Sequence, residues 1–246
     1  MYYLARILED GADGVARDID RAVSLLERAI TEGEHSDAMY ELGRLFQFDT
    51  EGVEQDLQRA VSLYEQAIED DANCDAMYNL VTILQDGGHG VEKDVCRAAA
   101  LLQRAIDEWD NCRAMVELGE MLERGSGVDR DIRRAIKLYE RAIEEESNAR
   151  AMMNLASLLA KGGDGFEQDA IRAVALYERV VDEYDNPYAE VYLGRILAYG
   201  ARGVEADRGR AERLLRRCAE RNLEGDVDVV KELAELVISV KTSTEE

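Results

Sequence analysis

Apolar side chains in this chain alternate between two patterns. In the first, Ala38, Met39, Leu42, Leu45 and Phe46 fall at i, i+1, i+4, i+7 and i+8, which sets them on one face of a helix. In the second, Ala60, Val61, Leu63, Tyr64, Ala67 and Ile68 make a broader face of the same period. A glycine-bearing loop from Asp49 to Gly52 separates the two. Asp56 then stands where the second helix needs an N-cap for the orphan N–H groups of its first turn. The spacing predicts an antiparallel hairpin of two helices, A and B.

The hairpin recurs at a fixed period. Its glycine returns as Gly14, Gly52, Gly90, Gly127, Gly165 and Gly203. An Asp-x-x-Arg-Ala opening of helix B returns with it, at Asp18/Arg21/Ala22, Asp56/Arg59/Ala60, Asp94/Arg97/Ala98, Asp131/Arg134/Ala135, Asp169/Arg172/Ala173 and Asp207/Arg210/Ala211. The loop Gly125-Ser126-Gly127 is one residue shorter than its neighbours, which explains the single step of 37 among steps of 38. Asn73, Asn111, Asn148 and Asn186 stand in register as N-caps of helix A, and Pro187 takes a first helical position, where a missing N–H costs nothing. In the first join His35 replaces the asparagine and Ser36 is the substitute cap.

A period of this length means stacked supersecondary units, each too small to bury its own apolar face. The expected divisions are 1–35, 36–73, 74–110, 111–148, 149–186 and 187–225. Val229, Leu233, Leu236, Val237 and Val240 then form an apolar stripe, the mark of a capping helix over 226–240, followed by a mobile tail at 241–246. At the other end Met1 aligns with Met39, so the first helix A begins partway along. That predicts an open edge at Leu4, Ile7 and Leu8, through which copies of the chain would self-associate, or a fragment of a longer array.

Ala114-Met115 and Leu118-Gly119 open helix A of the fourth unit, Gly125, Gly127 and Val128 close its loop, and Asp131-x-x-Arg-Ala-x-x-Leu-Tyr-Glu-Arg-Ala-Ile143 forms helix B. This unit resembles the Sel-1-like repeat, a longer-looped relative of the tetratricopeptide repeat, and the resemblance covers residues 1 to about 222. It implies an all-α, right-handed α-solenoid of six helical hairpins that binds other proteins as an adaptor or scaffold. Two departures are local: Val81 stands where Gly43, Gly119 and Gly194 stand, and Asp49 replaces the first loop glycine.

Composition narrows the function. A formal charge of −23 opposes binding to nucleic acid or to anionic membrane surfaces. No run of 18 apolar residues exists to span a bilayer, and no basic segment followed by an apolar core opens the chain as a signal peptide. Four cysteines lack any C-x-x-C pair, so they predict reduced thiols and a cytoplasmic protein rather than a disulfide framework or a zinc site. The glycine loops have no strand before them and no Lys-Ser/Thr after them, so they are turns, not phosphate cradles. Some bacterial proteins resembling this family have been linked to penicillin binding or hydrolysis. That chemistry would need something like Ser-x-x-Lys, and no serine here has a lysine three residues on. No catalytic residue, cofactor or metal is expected.

Three surfaces remain as candidates. Carboxylates crowd the B-to-A joins, as in Glu69-Asp70-Asp71 and Glu144-Glu145-Glu146, and make either a solvated rim or a field that steers a basic partner. Arginines recur along the outside of helix B, from Arg21 to Arg210 and from Arg28 to Arg217. They predict exposed ion pairs or, near Arg210, Arg213, Arg217 and Arg221, an anion-binding stripe. On helix A, Tyr40 lies about 160° from the core residue Leu42, where a polar residue belongs. That slot reads Tyr2, Tyr40, Tyr78, Val116, Met153 and Val191. Either neighbouring A helices pack through it, or it is an exposed strip for a peptide. The candidate peptide-binding set is Tyr2, Tyr40 and Tyr78 with Arg44 and its counterpart Arg195, the flanking Tyr192, and Asn79 and Asn154. The two asparagines stand where tetratricopeptide repeats resembling this one often hold a peptide backbone. The function expected is a non-catalytic scaffold for a peptide of a protein partner, with an architectural spacer in a longer repeat protein as the alternative.

Overall fold

The computed structural model describes residues 1–11, 14–33, 36–49, 52–163 and 165–220, so the expected capping helix and tail lie outside the described residues. Among them are twelve helices and no strand. The A helices are α1 (Tyr2–Asp10), α3 (Ser36–Gln47), α5 (Cys74–Asp86), α7 (Cys112–Arg124), α9 (Ala149–Lys161) and α11 (Pro187–Tyr199). The B helices are α2 (Ile19–Glu32), α4 (Leu57–Asp71), α6 (Val95–Trp109), α8 (Ile132–Glu146), α10 (Ala170–Tyr184) and α12 (Arg208–Glu220).

One aspartate starts every helix B and closes every hairpin. The side chains of Asp18, Asp56, Asp94, Asp131, Asp169 and Asp207 each accept the N–H of the arginine three residues on, satisfying one orphan donor of the first turn. The same residue's own N–H donates back to a carbonyl near the end of helix A, from Asp18 to Leu8 through Asp207 to Leu197, at 2.8–3.0 Å. Helix A starts on a cap of a different kind: Asn73, Asn148 and Asn186 accept from the N–H groups of Ala76, Ala151 and Ala189. From the second hairpin on, the loop glycine marks where the A-to-B loop touches the start of the preceding helix B. At Gly127 the backbone is left-handed, with φ of 74°, and a β-carbon there would run into the carbonyl of Val95. At Gly90 and Gly165 the loop carbonyls accept from Gln58 (2.9 Å) and Arg133 (2.7 Å).

The helices divide into two compact units, Met1–Asn111 with Gly125–Asp129, and Cys112–Arg124 with Arg130–Glu246. In the first, α1 packs on α2, α3 on α4 and α5 on α6, while α2 and α4 pack onto the next A helix. In the second, α7 packs on α8, α9 on α10 and α11 on α12, with α8 and α10 again carrying the chain to the next A helix. Alanines hold the seams close: Ala22, Ala60, Ala98, Ala135, Ala173 and Ala211 are all fully buried. The largest buried side chains are Tyr64, Tyr139 and Tyr177, one on each of α4, α8 and α10.

Candidate interaction face

The apolar slot of the A helices mostly turns inward. Tyr78, Val116 and Val191 are buried, and Tyr2, Tyr40 and Met153 are half-buried. A continuous exposed strip is therefore absent, because an A helix has neighbours on more sides than one helical wheel can show. The hydroxyl of Tyr78 donates to the side chain of Asn111. The ring of Tyr40 lies 6.2 Å from that of Tyr64, and Tyr2 hydrogen-bonds with Arg6.

Asn79 and Asn154 are held by the fold itself. The Tyr64 hydroxyl donates to Gln47 Oε1 at 2.7 Å and accepts from Asn79 Nδ2 at 3.0 Å. Tyr139 likewise bonds Glu123 at 3.4 Å and Asn154, whose Nδ2 also donates to Glu120 at 2.9 Å. In the next hairpin Tyr177 stacks its ring on Tyr192 at 5.6 Å and 15°. Each of these tyrosines passes over helix A of its own hairpin and reaches the A helix that follows. Burial pushes all three hydroxyls well above the usual phenol range. Where helix B carries leucine instead, at Leu26 and Leu102, the corresponding residue of the next A helix is Glu41 or Glu117. Both pair with arginine: Glu41 with Arg44 at 2.8 Å, and Glu117 with Arg113 at 3.4 Å.

The arginines are similarly engaged. Arg44 is clamped between Glu9 and Glu41. Outside helix B, Arg59 pairs with Glu27 (3.3 Å), Arg97 with Glu65, Arg172 with Glu140 (2.8 Å) and Arg210 with Glu178 (2.7 Å), each bridging one repeat to the one before. Arg28, Arg104 and Arg179 pair with a glutamate four residues on, and Arg217 reaches the buried Glu190 of α11. These pairs form the ladder that the alternation of Arg and Glu predicts; Arg210 and Arg217 of the candidate anion-binding stripe take part in it, and Arg221 lies outside the described residues.

What the wheel of one unit did not reveal is α11. Tyr188, Tyr192, Arg195 and Tyr199 follow steps of four, three and four, hence one face, and all four are exposed. At the opposite end Tyr3, Leu4 and Ile7 are exposed too, whereas Leu8, expected at the open edge, is buried.

Comparison with known proteins fits this architecture. No curated protein matches the chain. Among solved structures, c5321, a protective antigen of uropathogenic Escherichia coli strains with an SLR fold, superposes with a TM-score of 0.81 at 22% identity. That match covers 97% of this chain and 48% of the other, so the chain spans about half of that protein. A Sel1 repeat protein from Oxalobacter formigenes gives a TM-score of 0.68 at 27% identity, covering 90% of this chain and 86% of the other. Yeast Tom70 gives 0.59 at 17% identity, covering 98% and 47%. The shared fold is an all-α solenoid of stacked hairpins, and Sel1 repeats generally build protein-interaction scaffolds. The Sel1 repeat itself matches at residues 1–34, 36–71, 74–108, 112–147, 149–180 and 187–223, one match to each hairpin. With six matches that between them take in nearly the whole of its repeated part, this chain belongs to the Sel1 repeat family.

Proposed function

We propose that the chain is a non-catalytic scaffold that holds a peptide segment of a protein partner against α11 and the preceding A helix, α9. One observation carries this reading. Tyr188, Tyr192 and Tyr199 are 51%, 41% and 70% exposed on a single face of one helix. Other large apolar side chains on the A helices mostly pack inward. A tyrosine offers broad apolar area, a hydroxyl and few rotors to immobilise, which is why it anchors binding surfaces. Tyr192 is also fixed in advance by its stack on Tyr177, so little ordering remains to be done on binding. Of the residues proposed from sequence, Tyr192 and Arg195 belong to this surface. Asn154 lies on α9 and is held there by Glu120 and Tyr139, whereas Tyr2, Tyr40, Arg44, Tyr78 and Asn79 belong to α1, α3 and α5 of the other unit.

The test compares proteins retained from a cell extract by the immobilised full chain with those retained by the Tyr188→Ala/Tyr199→Ala double variant. Both sites are more than half exposed, so the melting temperature should stay put. A partner retained by the parent and lost by the variant supports the reading. An identical set of retained proteins would remove α11 from consideration and leave the architectural-spacer reading in its place.

A further inference from the structure

We infer that the segment bound on α9 and α11 is acidic. This rests on the peptide-binding reading of that face and adds the partner's charge. The chain has 53 acidic residues against 30 lysines and arginines, so a solvated surface chosen at random should show carboxylates. The exposed residues of α9 and α11 show none. They present Arg150, Lys161 and Arg195, and the one acid of the two helices, Glu190, is fully buried and paired with Arg217. In the other unit α3 and α5 do the reverse and expose Asp37, Asp75 and Asp86, while α1 exposes both Arg6 and Asp10.

Two helices that expose cations and no acid of their own, beside three exposed tyrosine rings, match a segment that alternates carboxylates with apolar side chains. Complementary charge would bring it in and set its register, while the rings supply contact area. The position of the carboxylates follows as well. The acidic joins Glu144-Glu145-Glu146 and Asp182-Glu183 precede α9 and α11, on the side of Arg150 and Tyr188. Arg150 is in addition already bonded to Glu120 at 2.7 Å. We place the partner's acids at Lys161, which holds in α9 the position that Tyr199 holds in α11. The sign is opposite to the basic partner that the rim alone would attract.

The experiment pans a random dodecapeptide display library on the full chain and, in parallel, on Tyr199→Ala. Peptides retained by the parent and lost by the variant are sorted by net charge. A net negative consensus, with the best such peptide weakened about tenfold or more by Lys161→Glu in fluorescence anisotropy and kept by Lys161→Arg, is the expected result. A neutral or positive consensus among Tyr199-dependent peptides overturns the charge inference while leaving the face intact. An unchanged affinity in Lys161→Glu overturns it equally. If no peptide depends on Tyr199, the peptide-binding reading falls first.

Discussion

A β-carbon placed on Gly119 of α7 would lie 2.5 Å from Cε1 of Tyr139 on α8, far inside the distance at which two carbons can rest. Gly43 and Tyr64 stand in the same relation at 2.7 Å. The third hairpin solves the same contact with different volumes, since Val81 replaces the glycine and Leu102 the tyrosine, and both are buried. The departure from the repeat pattern at Val81 is thus matched by a smaller side chain on its helix B.

Gly119→Val should therefore destabilise the chain by about 3 kcal/mol through overpacking. Adding Tyr139→Leu to it should recover a substantial part, by recreating the pair that already exists in the third hairpin. Urea unfolding of both single variants and the double variant measures the coupling, expected at about 1 kcal/mol or more. Strict additivity would mean that the two side chains do not share that space.

The Tyr64 hydroxyl joins Gln47 to Asn79, and Tyr64→Phe leaves both amides without it. The expected loss is about 1–2 kcal/mol of stability, with a similar loss for Asn79→Ala. Neither change should alter the affinity of a peptide held at Tyr199. If Asn79→Ala weakens such a peptide while the melting temperature stays constant, the asparagine contacts the partner rather than the tyrosine.

Much of this was open to reading in the residues. The period and the Asp-x-x-Arg-Ala signal place each helix B, because a cap, an arginine N–H and an alanine seam each need one residue type at one step. The fate of the 160° slot was not readable from one helix. A wheel drawn on Leu42 knows a single buried direction, whereas Tyr78 is enclosed on more than one side. Asn79 and Asn154 are more instructive. Seen alone, each slot offers a side chain able to bind a peptide backbone. Set against the preceding helix B, asparagine follows tyrosine (Tyr64, Tyr139) and glutamate follows leucine (Leu26, Leu102). That correlation, within one chain, already pointed to an internal hydrogen bond. Tyr188, Tyr192, Arg195 and Tyr199 of α11 were equally visible as a 4-3-4 spacing, but only by leaving the averaged unit for the last one.

Raised phenol values make the fold sensitive to alkali. Folding holds Tyr64, Tyr139 and Tyr177 protonated, so the stability they contribute is whole below the ordinary tyrosine value of about 10 and is lost as pH climbs through the raised folded values. An ultraviolet titration of the full chain, followed alongside circular dichroism, reads the buried tyrosines. The three buried ones should ionise together with loss of helical circular dichroism. Smooth ionisation of every tyrosine with helicity intact would contradict their enclosure.

The four thiols should react in the order of their environments. Cys96 is exposed, Cys74 half-buried, and Cys112 and Cys218 buried. Burial, helped by Glu146, pushes the Cys112 thiol up to about 11. At pH 8 its thiolate is then about one part in a thousand, against about a quarter for an ordinary cysteine. An aromatic disulfide reagent should label Cys96 rapidly and Cys112 and Cys218 only on unfolding. Peptide mapping that found Cys112 modified as fast as Cys96 would place it at the surface.

The reach of Tyr64 to Asn79, and of Tyr139 to Asn154, also sets where such an array can be cut and rejoined. The repeat at 149–186 carries an asparagine whose tyrosine lies in the repeat before and a tyrosine whose stacking partner lies in the repeat after. A cut in a join would strand Tyr64 from Asn79, and a cut in a glycine loop would strand it from Gln47 and part it from Gly43. The segment that travels intact is a whole hairpin together with the A helix that follows it, and designers grafting repeats should move that longer piece.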